Sequence, residues 1–247
     1  MGGLNKNMPA GFFAHISAFD NQPLIWLNQL IFKSPALDLF LTWMVNAHIT
    51  RFVPMLLVIC WVWFERAPKQ AFNRQILVET VLAAFAALFI ARFLAFALPF
   101  RDRPLANPDL HLFVPFETGV RTWSSFPSDH AVLAFALATS LSRLSPKIGL
   151  WAYFHAAIII CVPRLVFGLH YPSDLIGGAL IGIAVALATA QLQRRHGFAD
   201  VLLEIGHKHP AAFYAIAFLV LFEVGEMFDS IRGTVVYALR ILKQLLS

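Results

Sequence analysis

The chain has 247 residues, 59% hydrophobic and 13% charged, with a mean hydropathy of +0.68. No soluble domain of this size needs so much apolar surface, so the composition excludes a water-soluble enzyme. It implies an all-α fold, a polytopic transmembrane helix bundle of about six spans. The formal charge of +5 reflects loop lysines and arginines plus any anion site, and its distribution carries no nucleic-acid signature.

The first residues, 1–50, read as an N-terminal interfacial region. Lys6 is followed by a short apolar patch broken by His15 and Asp20, which is not the pattern of a cleavable signal peptide. Residues 11–32 mix Phe12, Phe13, Ile25, Trp26, Leu27 and Ile31 with Asp20, Asn21, Gln22 and Asn28. The polar cluster argues against a span and predicts an amphipathic helix lying in the membrane interface. A short apolar piece, Leu37 to Val45, is expected beside it.

Six apolar segments follow, at about 51–65, 75–98, 129–145, 148–168, 173–192 and 210–227. Cys60 and Cys161 lie within them and read as small core residues. Gly177, Gly178 and Gly182 have the spacing that lets helices approach closely. His155 reads as a satisfied bundle residue, and Glu79, Glu223 and Glu226 as span-end residues that water can reach. The region 51–192 is the expected catalytic core. Residues 193–247 add a loop, a further span and a basic amphipathic tail carrying Arg232, Arg240 and Lys243. Three basic loops alternate to one side: 66–74 with Arg66, Lys69 and Arg74, the turn with Arg143 and Lys147, and 193–209 with Arg194, Arg195 and Lys208. The positive-inside rule assigns that side to the cytoplasm. The long loop 99–128 and the turn 169–172 fall on the other side. Arg101, Arg103 and Arg121 there fit the rule only if they serve an anion.

The chemistry-bearing residues gather on that second side. The 99–128 loop opens with Pro99-Phe100-Arg101-Asp102-Arg103-Pro104, where two arginines can fork onto phosphate oxygens. Arg92 lies about two turns inside the preceding span, a costly place unless it faces a polar cavity or reaches the interface. The loop closes with Ser124-Ser125-Phe126-Pro127-Ser128-Asp129-His130. This is a helix start with Ser125 or Ser128 as cap, and its N–H groups make an anion site. The next turn reads Arg164-Leu-Val-Phe-Gly-Leu-His170-Tyr-Pro172-Ser-Asp174. Pro172 suits the first helical position. His170 and Asp174, four apart, can then meet, which suggests a phosphate site with a nucleophilic histidine.

In this order the three motifs resemble those of the phosphatidic acid phosphatase type 2 superfamily of integral-membrane lipid phosphatases, Lys-x6-Arg-Pro, Pro-Ser-Gly-His and Ser-Arg-x5-His-x3-Asp. The resemblance covers roughly residues 50–192. The third motif is present as Arg164, His170 and Asp174, with Pro163 in the serine position. The second is Pro127-Ser128-Asp129-His130, aspartate replacing glycine. The first keeps Arg103 and Pro104 but has Phe96 in the lysine position, with Arg92 one turn earlier as a stand-in.

The resemblance implies that His170 attacks phosphorus to form a phosphohistidine, that Asp174 fixes its tautomer, and that His130 protonates the leaving oxygen and then activates water. It implies that Arg103, Arg164, Ser128 and backbone N–H groups near Asp129 hold the phosphoryl oxygens, without metal or other cofactor. Asp129 could orient an arginine or help to place a leaving phosphate. Arg92 and Arg101 could serve a second phosphate. Ser-Phe-Pro-Ser-Asp-His and Asp-Arg-Pro further resemble the bacterial undecaprenyl-diphosphatases of the superfamily. The expected partners are therefore the bilayer and a lipid phosphate, in a bacterial inner membrane with the site facing the periplasm or cell exterior. Hydrolysis of phosphatidylglycerophosphate or of lipid A phosphates, phosphotransfer through the same histidine, and a non-enzymatic transporter are the competing readings.

Overall fold

The structure is a computed structural model that describes residues 17–114 and 123–230, with residues 234, 237 and 241. Phe12, Phe13 and His15 of the predicted interfacial helix, Arg121, and the tail residues Arg232, Arg240 and Lys243 lie outside the described residues. Among the described residues every regular element is helical. An N-terminal pair, α1 (Ser17–Asn28) and α2 (Pro35–Asn46), leads through the single turn His48–Arg51 into α3 (Val53–Phe64). The long α4 (Gln70–Ala97) is followed by two 3₁₀ turns, Pro104–Ala106 and Pro108–Leu110, and then by α5 (Asp129–Leu141). Next come α6 (Pro146–Val166), α7 (Pro172–His196), α8 (Phe198–Lys208) and α9 (Pro210–Gly225).

The six predicted spans correspond to α3, α4, α5, α6, α7 and α9. Of these, α4, α6 and α7 are long and apolar enough to cross a bilayer, and the other three are shorter apolar helices. The chain is thus a helical transmembrane bundle. Its centre is α5, which is buried on nearly every side from His130 to Leu141 and is gripped by α4 and α7. Its 13 residues extend about 20 Å, less than the ~30 Å hydrocarbon layer. It is a core element more than a lipid-facing one. Ala87 and Ala91 of α4 meet Val132 and Ala136 of α5. On the other flank, a Cβ at Gly178 would lie 2.8 Å from the Ser128 carbonyl, and one at Gly182 would lie 2.9 Å from the Ala136 nitrogen. Backbone therefore meets backbone along one turn of α7. Outside, Phe89, Phe93, Phe96, Leu180 and Leu187 are exposed, as befits surface facing lipid.

Several expectations need correction. The 193–209 stretch is not a plain loop. Gly197, at φ 61°, closes α7, and Gln193 then accepts from Ala199 N, which starts α8 at once. Glu79 is buried, not solvated, because it pairs with Arg143; Glu223 is buried as well. Cys60 is exposed on α3 and only Cys161 is buried. The N-terminal helix α1 turns Asp20 and Asn28 inward. Asn28 donates to the carbonyls of Val166 and Phe113, both at 2.8 Å, and accepts from Phe113 N at 2.8 Å. Phe19, Ile25 and Trp26 face out. Its polar groups answer backbone groups that the end of α6 and the following loops leave open.

The arginine-rich turns gather at one end, where Glu79 meets Arg143 and Asp200 receives bonds from Gln75 and Gln193. The N-termini of α5 and α7 lie at the other. Because α5 is held by backbone contact, Gly182→Ala should destabilise the bundle by about 1–3 kcal/mol through overpacking. Thermal unfolding in detergent should show this as a lowered Tm, while Leu187→Ala on the exposed face should leave Tm unchanged.

Candidate active site

The turn from α6 to α7 fixes the first histidine. Gly168 adopts φ 61°. Its N–H bonds Leu165 O at 3.0 Å while Leu169 N bonds Arg164 O at 2.9 Å, the paired bonds of a Schellman ending. A glycine is required here, since φ is positive and a Cβ would lie 2.5 Å from Leu112 Cδ1. Two residues later comes His170, and Pro172 opens α7.

His170 is 2% exposed. Its Nδ1 lies 2.9 Å from the Ser125 carbonyl oxygen and 3.7 Å from Asp174 Oδ2. A carbonyl only accepts, so Nδ1 carries the proton and Nε2 the lone pair. Nε2 faces Arg103 Nη1 at 3.1 Å, and the same Nη1 donates to Leu169 O at 2.8 Å. The main bond to Nδ1 is thus the backbone carbonyl, with Asp174 behind it. Burial, opposed by the hydrogen bond to Asp174 and reinforced by the Arg103 charge, holds the imidazole below the ordinary histidine range.

Asp174 has no solvent exposure. Its Oδ1 receives Arg101 Nη1 at 2.5 Å. Its Oδ2 receives Ser125 Oγ at 2.5 Å and Tyr171 N at 2.9 Å. Arg101, proposed from sequence for phosphate, is instead bound between carboxylates. Its Nη2 meets Asp20 Oδ2 at 2.6 Å, its Nη1 also meets Ser173 Oγ at 2.8 Å, and it lies 4.1 Å from the Tyr171 ring centroid. Asp20, from α1, additionally accepts from Ser173 N and Oγ at 2.9 and 2.7 Å. The N-terminal helix is therefore pinned to the entrance of α7.

The second half of the site is the start of α5. Ser128 occupies the cap position but makes no capping bond. Its buried Oγ has no hydrogen-bond partner, which leaves the hydroxyl available to a ligand oxygen. Ser128 N donates to Asp174 O at 3.2 Å, which joins the two helix entrances. His130 is 5% exposed. Its Nδ1 lies 2.8 Å from Asp129 Oδ1, so this ring too carries its proton on Nδ1 and turns Nε2 inward. Asp129 Oδ2 takes Arg92 Nη2 at 3.2 Å, and Arg92 lies 5.4 Å from the Trp123 ring centroid. Of the two roles left open for Asp129, the geometry matches orientation, of Arg92 on one side and His130 on the other. Phe96, in the lysine position of the first motif, is 83% exposed on the outside of α4, whereas Arg92 reaches the site. Arg164 is buried, donates to Ile160 O at 2.6 Å and exerts its charge on His130.

The structure thus brings together His170, His130, Asp174, Arg103, Arg164, Ser128, Asp129 and Arg92, with Arg101 one step behind. Sequence reasoning missed Arg51, whose Nη1 lies 3.5 Å from His130 Nε2, and the site role of Asp20. For Arg51 the available signal was a charge at the start of an apolar segment; Asp20 sits in a polar cluster and carried no signal of its own. The His170 geometry has a measurable consequence. Its lowered pKa means that the folded protein keeps the ring neutral where the unfolded chain, at about 6.5, is half protonated. The resulting contribution to stability is present above that pH and is lost as pH falls through the folded value. Nitrogen-15 NMR of histidine-labelled protein should show His170 as the Nδ1–H form, still neutral below pH 6.5, and Arg103→Ala should shift its titration upward.

Residues 77–198 match the family model described as PAP2 superfamily. A lipid A 4'-phosphatase of Bacteroides thetaiotaomicron is 31% identical over 176 residues, 68% of this chain and 73% of that protein. A putative undecaprenyl-diphosphatase of Escherichia coli K12 is 28% identical over 139 residues, and the alignment covers 55% of this chain and 64% of that relative. Among solved structures, a transmembrane PAP2-type phosphatidylglycerolphosphate phosphatase from Bacillus subtilis superposes with a TM-score of 0.50 at 18% identity, covering 74% of this chain and 90% of that one, a likeness of fold. With its paired histidines at the entrances of α5 and α7 and its arginines around them, the chain belongs to the PAP2 superfamily.

Proposed function

We propose that this protein hydrolyses a lipid phosphate or diphosphate through a phosphohistidine on His170. The observation that carries the reading is the His170 ring itself, buried and neutral, with Nδ1 on the Ser125 carbonyl and Nε2 aimed at Arg103. The Nε2 lone pair attacks phosphorus while Arg103, Arg164, the unpartnered Ser128 hydroxyl and the N–H groups opening α5 neutralise the oxygens. The P–O bond to the leaving group breaks, and His130, protonated on Nε2 as substrate binds, donates that proton to the leaving oxygen. Water then attacks phosphorus and gives a proton to His130, and the P–N bond pair returns to His170. The partners differ in a way that suits these roles. Nδ1 of His130 sits on a carboxylate, which can balance an imidazolium, whereas the nearest partner of His170 is a neutral carbonyl.

The substrate we favour is undecaprenyl diphosphate, giving undecaprenyl phosphate and inorganic phosphate. The relatives include a putative undecaprenyl-diphosphatase, and this chain keeps the Ser-Phe-Pro-Ser-Asp-His form of the second motif. A lipid A 4'-phosphatase among them keeps lipid A phosphates as the second reading. The arginine-rich turns at the far end of the bundle support a periplasmic site in a bacterial inner membrane.

His170→Ala should lose essentially all turnover in mixed micelles while retaining its elution profile and Tm. His130→Ala should lose about 10²–10⁴-fold. Turnover should survive exhaustive chelation, since the charge is supplied by arginines, and specificity constants should favour undecaprenyl diphosphate over glycerolipid monophosphates. Near wild-type turnover in His170→Ala would refute the mechanism. A preference for a monophosphate would refute the substrate alone. Asp20 acts through Arg101 on Asp174 and does not touch the reacting atoms. Asp20→Ala should therefore lower kcat by about 10- to 100-fold with KM little changed, and it should broaden the His170 resonance. A fall confined to KM would argue against this positioning role.

A further inference from the structure

We infer that Arg51 binds the leaving phosphate of a diphosphate substrate and so selects lipid diphosphates over lipid monophosphates; the inference rests on the proposed hydrolysis at His170 and His130. Arg51 lies outside all three motifs, in the turn His48–Arg51 between α2 and α3. It is nevertheless 9% exposed, and its Nη1 stands 3.5 Å from His130 Nε2. The neighbouring Phe52 stacks on the His130 ring, centroids 6.1 Å apart. The Arg51 carbonyl lies 2.7 Å from Nε2 of His155, whose ring stacks on Trp151 with centroids 5.4 Å apart. His155 belongs to the widened π segment of α6, His155–Cys161, a local distortion that frequently accompanies functional sites. The backbone of Arg51 is therefore anchored from a separate helix while its guanidinium is presented to the acid–base histidine.

The position matters because of what must stand there during reaction. Nδ1 of His130 is committed to Asp129, so Nε2 is the atom that passes a proton to the leaving oxygen. That oxygen must come within hydrogen-bond reach of Nε2, and hence next to the Arg51 guanidinium. If the substrate is a monophosphate ester, the departing group is an alcohol, which gives a guanidinium little to bind. If the substrate is a diphosphate, the departing group is a phosphate monoester, whose anionic oxygens match the fork of an arginine.

The same geometry bears on protonation. A guanidinium beside Nε2 works against an acid that must carry a proton there, and an anion arriving between the two removes the conflict. The second phosphate of a diphosphate is such an anion, so substrate of this class helps to ready its own acid. Arg51 supplies positive charge on the leaving-group side, and Arg103 on the side of attack.

The test measures kcat/KM of the purified full chain for undecaprenyl diphosphate and for undecaprenyl phosphate in the same micelles, in wild type, Arg51→Gln and Arg51→Lys. The ratio of the two constants on one sample does not depend on the folded fraction, so a partly misfolded variant still reports. Both rates should fall in Arg51→Gln, since His130 loses a neighbour, and the diphosphate-to-monophosphate ratio should fall about 100-fold, with Arg51→Lys between. Inhibition by methylenediphosphonate should weaken relative to inhibition by vanadate. A ratio and a relative inhibition both equal to wild type would overturn the assignment and leave Arg51 as a residue that holds His130 in place. A wild-type enzyme with no preference for the diphosphate would overturn the substrate reading instead, and this inference with it.

Discussion

A carboxylate with no access to water sets the terms for this site. Asp174 can stay ionised in the interior only if its oxygens are filled by donors, and four groups fill them, Arg101, Ser125 Oγ, Tyr171 N and, at longer range, the His170 ring. Each donor then acquires a fixed position. Ser125 is drawn against α7, which brings its carbonyl to His170 Nδ1 and so determines which nitrogen holds the lone pair. Arg101 needs a second anion for its other arm, and Asp20 supplies it, so α1 is bound to the bundle through a charge that no local rule of helix formation would place there. The close approach of α5 and α7 at Gly178 and Gly182 makes this possible, because it brings Ser128 N within 3.2 Å of the Asp174 carbonyl. Two helix entrances, each an anion site in its own right, become one.

The six apolar helices could be read from the sequence because lipid imposes a one-dimensional requirement, a run of apolar residues of sufficient length. The start of α7 at Pro172 and the start of α5 at Asp129 were equally legible, since Pro172 and Asp129, whose Oδ1 accepts from His130 N, act on their own backbone. His170, His130, Asp174, Arg103 and Arg164 could be named because their spacing is local. What the sequence hid were contacts between segments far apart in the chain. Arg51 is 79 residues from His130, and Asp20 is 81 from Arg101. Neither belongs to a periodic pattern. The polar residues of α1 looked like the wet face of an interfacial helix, yet Asp20 and Asn28 are among its most buried side chains. Composition records that a helix has two kinds of face, and tertiary contact decides which one turns inward.

Asp129 shows the same limit at shorter range. Its place in the second motif was plain, and the two roles weighed for it were a partner for arginine or a guide for leaving phosphate. The geometry adds the His130 ring, reached by the same side chain through its other oxygen. A side chain adjacent to its partner in sequence gives no periodic signal, because neighbouring residues on a regular helix do not face each other. The contact is available only at the helix entrance, where His130 occupies the first turn and can fold back.

The two histidines are consequently held by one plan with different ingredients. In each ring Nδ1 is committed to an oxygen and Nε2 faces an arginine, Arg103 at 3.1 Å for His170 and Arg51 at 3.5 Å for His130. The oxygen is a neutral carbonyl in one case and a carboxylate in the other. A lone pair that is to attack phosphorus gains from a ring that stays neutral, and a ring that is to exchange protons gains from a fixed negative partner. An arginine beside Nε2 also favours the neutral ring in either case, until an anion stands between them. In the proposed reaction substrate phosphate is that anion beside His130, whose ring must gain a proton, whereas burial together with the Arg103 charge keeps the His170 ring neutral for attack.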